Sequence, residues 1–164
     1  MQNTSVNSQF ITFRMGDEVF AADVFRIREI LEIPQITKVP GMPKQVEGVI
    51  NLRGDVVPVI DLLLHFTGKK TTLNDNTAII VAEIKQNNET VLVGLLVDEA
   101  KEVVSFNEDE LEQPPSLGIF IDNRYLAAMG KKDDSFVIIL NMDELLRSEE
   151  LGLAAYSGLN EAKI

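Results

Sequence analysis

The feature that most constrains the fold of this chain is an internal repeat. Val24–Leu31 (VFRIREIL) and Val97–Val104 (VDEAKEVV) both fit the pattern V-x-x-[IA]-[RK]-E-[IV]-[LV]. A second pair, Asp55–Phe66 and Ser135–Leu146, shares an apolar strand, an Asp or Asn cap and a Leu-rich helical turn. Agreement over eight positions can arise between any two β-rich segments. The two pairs, however, occur in the same order on either side of a polar linker at Thr67–Thr77, which favours a duplication.

The size of each half predicts the architecture. Each half holds roughly 60 residues and several short strands, which suits a small β-barrel. A barrel of that size buries little surface on its own. We therefore predict a mainly β fold, with a first barrel at about 10–66, a linker at about 67–77 and a second barrel at about 78–146. The two barrels should pack face to face around one shared core.

Local patterns predict the individual elements. Alternating apolar and polar residues indicate strands, because successive side chains of a strand point to opposite faces. Ile27–Ile33 fits either a strand or a helix, and Pro58, which lacks an N–H, predicts an edge strand or a bulge. Asp23, Asp61 and Asn141 are placed to cap short helical turns. The predicted strands are Gln9–Met15, Val19–Ala22, Val46–Leu52, Asp55–Ile60, Ala78–Ile84, Val91–Val97, Glu102–Phe106, Ile119–Ile121, Tyr125–Met129 and Phe136–Leu140, and the predicted helical segments are Leu62–Phe66, Glu108–Leu111 and a helix from Asn141 to near Glu150.

Composition excludes several classes of function. The 164 residues include 15 Lys and Arg against 26 Asp and Glu, a net charge of −11 that disfavours nucleic-acid binding. There is no Cys and only one His, so thiolate chemistry and multi-histidine metal sites are excluded. The acidity is uneven, because residues 1–75 hold 8 basic and 9 acidic side chains whereas residues 76–164 hold 7 and 17.

The chain shows no targeting or membrane signal. The longest apolar run, Val91–Val97, is far shorter than the roughly 20 residues of a membrane helix. The segment Met1–Gln9 is polar and lacks the basic and apolar regions of a signal peptide. We therefore expect a cytoplasmic protein with no direct membrane insertion.

The sequence contains no convincing catalytic constellation. His65 follows Asp61 at the spacing of one helical turn, but Asp61 fits a helix cap better than a catalytic carboxylate. The neighbouring acidic pairs Asp98/Glu99 and Asp133/Asp134 suit solvent-facing positions, since adjacent strand residues face opposite ways. Nucleophile-elbow, dinucleotide and phosphate-loop motifs do not occur. No enzymatic activity, cofactor or metal site is predicted.

One hairpin has unusual content for a structural turn. In the segment 48–55 (GVINLRGD), Gly48 and Gly54 permit close backbone approach or a positive φ. Arg53 holds a planar, permanently charged group beside the turn. It is either a solubilising turn residue or a binding residue at the edge of an apolar groove. Glu29 is a candidate ion-pair partner or second contact.

The same hairpin carries a resemblance to a known family. The run G-V-I-N-L-R-G-D-V-V-P-V-I-D-L at 48–62 resembles the signature hairpin of the CheW-like domain family. The similarity covers about residues 9–150 and is closest to the stand-alone coupling members, which leaves 151–164 as a C-terminal tail. Further landmarks in family order are F-I-T-F-R-M-G-D-E-V-F-A at 10–21, I-R-E-I at 27–30, I-T-K-V-P-G-M-P at 36–43, G-L-L-V-D at 94–98, E-Q-P-P at 112–115 and V-I-I-L-N-M-D-E-L-L at 137–146.

The resemblance implies both a fold and a function. The implied fold is a pair of SH3-like five-stranded β-barrels around a common core, with short helices and a C-terminal helix. The implied function is that of a non-enzymatic adaptor, which couples the cytoplasmic tips of methyl-accepting chemoreceptors to the regulatory SH3-like domain of the histidine kinase CheA. Such an adaptor would be recruited to receptor arrays at the membrane.

The resemblance also implies a set of partner-binding residues. Ile27, Glu29 and Arg53 match positions tied to receptor and kinase coupling, and Gly48 and Val103 match positions whose alteration disturbs partner binding. Two departures stand out, since Leu63 replaces a frequent Arg and Ala128 a frequent Gly. The predicted partner-binding residues are Ile27, Glu29, Ile30, Gly48, Asn51, Leu52, Arg53, Gly54 and Val103.

Three other functions remain open on the sequence alone. The chain could be a scaffold of the same type in a related, non-chemotaxis signalling system. It could bind a small apolar ligand between its barrels. A small hydrolase built on Asp61 and His65 is the third possibility.

Overall fold

The computed structural model of the protein describes residues 8–86, 88–113 and 121–147. These residues form eleven strands, two short α-helices and three 3-10 turns. The strands are β1 (Ser8–Met15), β2 (Glu18–Asp23), β3 (Ile27–Glu32), β4 (Val46–Leu52), β5 (Asp55–Asp61), β6 (Ala78–Gln86), β7 (Glu89–Val97), β8 (Glu99–Phe106), β9 (Leu111–Glu112), β10 (Leu126–Lys132) and β11 (Ser135–Leu140). The helices are α1 (Leu62–Thr67) and α2 (Met142–Leu145), and the 3-10 turns are Val24–Arg26, Glu108–Glu110 and Asn123–Tyr125.

The predicted local elements agree closely with these bounds. The ambiguous segment at 27–33 is strand β3. The side chains of Asp23, Asp61 and Asn141 each accept a hydrogen bond from a backbone N–H in the turn that follows, as their cap positions predict. Several predictions fall partly or wholly outside the described residues: the strand at 119–121, the motif at 112–115 and the tail at 151–164. The helix predicted from Asn141 to near Glu150 is too long, because α2 ends at Leu145 and residues 146–147 are not helical.

The eleven strands form two sheets. The order of the five-stranded sheet is β3-β6-β7-β5-β4, and that of the six-stranded sheet is β8-β1-β2-β11-β10-β9. Each sheet curls until its edges meet. In the first, Thr37 and Val49 exchange two backbone hydrogen bonds of 2.8 Å across the gap between β3 and β4. In the second, the ring of Phe106 on β8 packs against Gly130 on β10. We call the two units the five-stranded and the six-stranded barrel.

The boundary between the barrels does not follow the linker. The first hairpin of the chain, β1–β2, belongs to the six-stranded barrel, where it lies between β8 and β11. The hairpin after the linker, β6–β7, belongs to the five-stranded barrel, between β3 and β5. The predicted division into barrels at 10–66 and 78–146 is therefore wrong. Each half donates its hairpin to the barrel built by the other half.

The duplication itself is visible in matching irregularities. Strand β4 has a register shift between Val46 and Gly48 where it pairs with β5, and β10 has one between Leu126 and Ala128 where it pairs with β11. The members of each pair lie 80 positions apart, as do the helix caps Asp61 and Asn141. A common local geometry at a constant spacing indicates repeated units, and it identifies Ala128 as the counterpart of Gly48.

Three apolar clusters fill the molecule. The largest lies between the barrels and takes alternate residues from both, including Phe13, Phe20, Ile80 and Leu95. A second cluster fills the five-stranded barrel around Val59 and the third fills the six-stranded barrel. The predicted shared core therefore exists. Because the barrels share it, burial of apolar area at their contact stabilises both.

Strand β5 meets the prediction made from Pro58 only locally. The strand is interior, since it pairs with β4 on one side and β7 on the other. Its pairing with β7, however, runs only from Val59 to Asp61, so Pro58 lies just before the shared stretch. The missing N–H is tolerated because residues 55–58 of β5 lie outside the stretch that pairs with β7, so Pro58 is at an edge locally, as the sequence predicted.

No helix in the described part of the chain is long and apolar enough to cross a membrane.

Candidate partner-binding surface

The hairpin between β4 and β5 turns at Arg53 and Gly54. Both residues have a positive φ, 50° and 93° respectively, the combination found in tight type I′ hairpin turns. The Gly54 N–H donates a 2.8 Å hydrogen bond to Asn51 Oδ1, which ties the turn to the preceding strand. Glycine adopts this conformation freely, whereas arginine does so at an energetic cost. The chain therefore holds Arg53 in a strained, defined position at the tip of the hairpin.

Arg53 forms an ion pair with Glu29 on β3. Arg53 Nη2 bonds to Glu29 Oε2, and Arg53 Nη1 donates to Glu29 Oε1 at 3.4 Å, so both branches of the guanidinium engage the carboxylate. The Glu29 side chain is 25% exposed and that of Arg53 is 68% exposed. The hydrogen bond from Arg53 lowers the pKa of Glu29 below its usual value, and the same contact raises the pKa of Arg53. The pair predicted from sequence is present and faces solvent.

Gly48 lies under the closure of the five-stranded barrel. A Cβ at this position would lie 2.4 Å from the Thr37 carbonyl oxygen and 2.8 Å from the Ile36 side chain. Gly48 is buried, and so is Leu52, whose side chain packs inside the barrel. Gly48, Leu52, Asn51 and Gly54 therefore shape the hairpin that displays Arg53.

Ile30 and Val103 occupy equivalent positions on two edge strands. Ile30 on β3 is paired with Ile80, and Val103 on β8 is paired with Ile11. Both partners belong to the shared core, yet Ile30 is 40% and Val103 53% exposed. In the sequence repeat these two residues align with each other. They lie on the edge strands that flank the contact between the barrels, which we call the seam.

The predicted residues thus separate into two groups. Glu29 and Arg53 meet at the end of the five-stranded barrel, with the rest of the hairpin supporting them. Ile27 and Ile30 on β3 and Val103 on β8 border the seam, and Ile27 packs against the rim of the shared core. Strand β3 carries members of both groups, so it connects the arginine hairpin to the seam.

Sequence reasoning missed one prominent side chain. Phe25, in the 3-10 turn before β3, is 87% exposed, more than any other large apolar residue in the described part of the chain. The only signal in the sequence was a bulky apolar residue two positions after the cap Asp23. Its exposure depends on a turn whose other residues contact both barrels.

Other sequence features have structural roles. The Asp61 carboxylate is fully buried and accepts hydrogen bonds from Leu64 N, Thr71 N and Thr71 Oγ1, so it caps α1 and fastens the linker. The His65 ring packs 5.6 Å from Phe66 and 5.7 Å from Tyr125, between centroids. Asp61 thus acts as the cap that the sequence indicated.

The two departures from the family pattern are also accommodated. Leu63 is partly buried against the shared core. Ala128 packs against the core of the six-stranded barrel, at a register shift like that of Gly48. Neither position disturbs the strand order.

A cavity of about 340 Å³ lies beside α1. Its walls are cationic as well as apolar, and every residue that forms them lies between positions 38 and 70, within the five-stranded barrel and its connections. This location differs from the inter-barrel ligand site that the small-ligand alternative requires. The lining residues are Lys38, Val39, Met42, Lys44, Val46, Glu47, Leu64, Gly68 and Lys70.

The exchanged hairpins, the shared core and the arginine hairpin together define a two-barrel scaffold domain. The model of the CheW-like domain matches residues 9–150, so the chain belongs to the CheW-like domain family. This is a family of non-enzymatic scaffold and coupling proteins that act on protein partners.

The similarity to individual relatives extends along most of the length of both chains. The chain is 30% identical over 149 residues to the chemotaxis protein CheW of Klebsiella aerogenes, covering 91% of this chain and 87% of the relative. It is 33% identical over 141 residues to chemotaxis protein CheW of Helicobacter pylori, covering 86% and 82%. Among solved structures, the crystal structure of scaffolding protein TtCheW from Thermoanaerobacter tengcongensis superposes with a TM-score of 0.75 at 31% identity, covering 90% of this chain and 92% of that one.

Proposed function

We propose that this protein couples chemoreceptors to a CheA-type histidine kinase in a cytoplasmic chemotaxis signalling array. The observation that carries the proposal is the arginine hairpin. A strained turn holds Arg53 two-thirds exposed at a barrel end, although a glycine or asparagine would fit its backbone better. Membership of the CheW-like domain family over residues 9–150 supports proteins as the class of partner.

The receptor contact is proposed at the seam. A receptor tip is a helical hairpin, and a helix can lie in a groove lined by apolar residues. Ile27, Ile30 and Val103 would supply the apolar lining. Glu29 and Arg53 would make polar contacts at one end of the groove and so fix the position of the receptor helix along it.

The kinase contact is proposed at the end of the five-stranded barrel. A regulatory domain with SH3-like barrels would pack barrel to barrel, with apolar residues at the centre and a polar rim. Asn51, Leu52, Gly48 and Gly54 would contribute by fixing the hairpin that faces the kinase. Arg53 at its tip would belong to the rim of this contact.

Co-purification from cells is the primary test. A tagged chain should bring down a histidine kinase and a chemoreceptor together. Recovery of a kinase with a receptor of another signalling system would favour the alternative scaffold role. Recovery of neither protein would contradict the proposal.

Replacing Arg53 by Asn separates binding from stability. Asparagine tolerates a positive φ, so the hairpin should keep its shape while it loses the guanidinium. Relief of the strained φ offsets the loss of the pair with Glu29, so we expect little change in melting temperature together with loss of receptor binding and kinase activation. If the variant has the same receptor affinity and kinase activation as the unmodified chain, Arg53 is not part of the binding surface.

Replacing Val103 by Asp tests the seam. A helix docked there would bury an unpaired carboxylate, so receptor affinity should fall by at least about tenfold. The matched control is Ser105→Asp, on the same strand and also exposed, where the charge should have a smaller effect. Equal receptor affinities for Val103→Asp and the unmodified chain, both folded by circular dichroism, would show that the receptor does not bind at the seam.

A further inference from the structure

Phe25 is an exposed aromatic residue on a firmly held turn. The Phe25 N–H donates a 2.9 Å hydrogen bond to the Asp23 cap. The next residue, Arg26, pairs with Asp143 on α2 and donates to the Glu83 carbonyl on β6 at 3.5 Å. The turn is therefore tied to the six-stranded barrel through α2 and to the five-stranded barrel through β6. An exposed side chain on a preorganised backbone loses little entropy when a partner binds it.

The turn lies at the seam. It lies close to β1 of the six-stranded barrel and β6 of the five-stranded barrel, the strands that pair with β8 and β3. Val103 and Ile30 lie on β8 and β3. Phe25, Ile30 and Val103 are three of the six large apolar side chains that the described residues expose, and all three belong to elements at this border.

Charged side chains of both signs surround Phe25. Arg26 and Arg28 follow it in the chain and pair with Asp143 and Glu83 respectively, and Asp23 precedes it. Arg28 Nε donates to Glu83 Oε2 at 2.7 Å, and both arginine side chains are partly exposed. An apolar pocket with a polar rim complements an aromatic side chain that has such charged neighbours.

We propose that Phe25 is the anchor residue of the seam, and that it inserts into an apolar pocket with a polar rim between the helices of a receptor tip. The proposal rests on the receptor-coupling function proposed above. It identifies Phe25 as the residue that contributes most to the specificity of receptor binding. Aromatic side chains bury a large area and are over-represented among residues that dominate binding energy. The Arg26–Asp143 pair would be a positioning contact, since it holds the turn without touching the partner.

The absence of tryptophan from the chain provides a direct test. Phe25→Trp and Phe136→Trp each create a single fluorescent reporter, and Phe136 is an exposed aromatic residue at 52% on β11. The probe is a purified cytoplasmic fragment of a methyl-accepting chemoreceptor from the same organism. We expect its addition to blue-shift the emission of Phe25→Trp and to leave that of Phe136→Trp unchanged. Solvent-exposed emission from Phe25→Trp in the complex, or an equal shift at both positions, would overturn the proposal.

Affinity measurements complete the test. Phe25→Ala should weaken binding of the receptor fragment about 30-fold, the effect of losing a dominant interface residue, without lowering the melting temperature. Phe25→Leu should retain most of the affinity, because it keeps an apolar side chain. If the unmodified chain binds the fragment and Phe25→Ala binds equally well, the anchor is refuted and the coupling function stands. If the unmodified chain does not bind the fragment, the coupling function fails and the anchor fails with it.

Discussion

At the scale of single residues, the most informative position is Arg53. Its φ of 50° lies in the left-handed region, which side chains other than Gly, Asn and Asp seldom adopt. A residue in such a conformation persists only when the surrounding structure holds it there, here through Gly54, Asn51 and the Glu29 carboxylate. The equivalent turn of the other half places Asp133 and Asp134 at positive φ. The same turn geometry therefore presents a cation on one barrel and carboxylates on the other.

The Glu29–Arg53 pair makes a prediction about acid pH. Because the pKa of Glu29 is lowered by Arg53, the pair contributes stability above the usual carboxyl pKa of 4.5 and loses it as pH falls through the lowered value. Arg53→Ala should bring the pKa of Glu29 back towards 4.5, measured from the carboxyl carbon chemical shift in an NMR titration. Arg28→Ala is the control, because Arg28 is the smallest of the causes that lower this pKa. Equal shifts for the two variants would show that the contact with Arg53 is not the cause.

At the scale of elements, the two β-hairpins β4–β5 and β10–β11 share one design but differ at one position. Both have a register shift 80 positions apart, with Gly48 in one and Ala128 in the other. Another segment pairs with each of them, Thr37 with Val49 in the first and Glu112 of β9 with Met129 in the second. In the first, the Thr37 carbonyl oxygen lies directly against Gly48. The glycine is thus required by a tertiary contact and not by the hairpin.

Gly48→Ala should destabilise the protein. The added methyl would meet a backbone oxygen at 2.4 Å, so the strand must shift, and strain of this kind costs about 1–3 kcal/mol. The matched variant is Ala128→Gly, which adds no clash and should cost about 0.5–1 kcal/mol through backbone entropy. Urea denaturation measures both free energies of unfolding. A cost for Gly48→Ala no larger than that for Ala128→Gly would mean that the close approach is not maintained in solution.

At the scale of the whole molecule, the exchange of hairpins joins the two barrels into one unit. The five-stranded barrel is built from the consecutive strands β3 to β7, and the six-stranded barrel from the strands on both sides of them. The shared core then buries side chains of both, including Phe13 and Ile80. Neither sequence half contains a complete barrel. Folding should therefore be cooperative across the linker.

Cutting the chain at the linker tests this arrangement. Fragments 1–75 and 76–164 should each lack a cooperative thermal transition by circular dichroism, because each is missing the hairpin that its strands need. Mixing them in equal amounts should restore the transition. Fragment 24–97, of nearly the same length as 1–75, contains every strand of the five-stranded barrel and should keep a β-sheet spectrum that 1–75 lacks. Cooperative melting of 1–75 alone would contradict the exchange.

The sequence by itself determined the local structure. Strand alternation and the caps Asp23, Asp61 and Asn141 depend on residues within a few positions of one another, so a linear pattern records them. The duplication is a likeness between two such linear patterns and can be read in the same way. Glu29 was already a candidate partner of Arg53, but the sequence left open whether it forms the ion pair or a second contact, and the structure places the two side chains together. The signature run at 48–62 carried the family.

Only the tertiary structure decided which strands are neighbours and which apolar residues stay exposed. Alternation specifies that a strand has an apolar face but not which sheet covers it, because hydrophobic burial has no directional preference. The exchanged hairpins therefore could not be read from order along the chain. For the same reason the exposure of Phe25 could not be read from its residue type, and the place of Gly48 under Thr37 required knowledge of a segment eleven positions away.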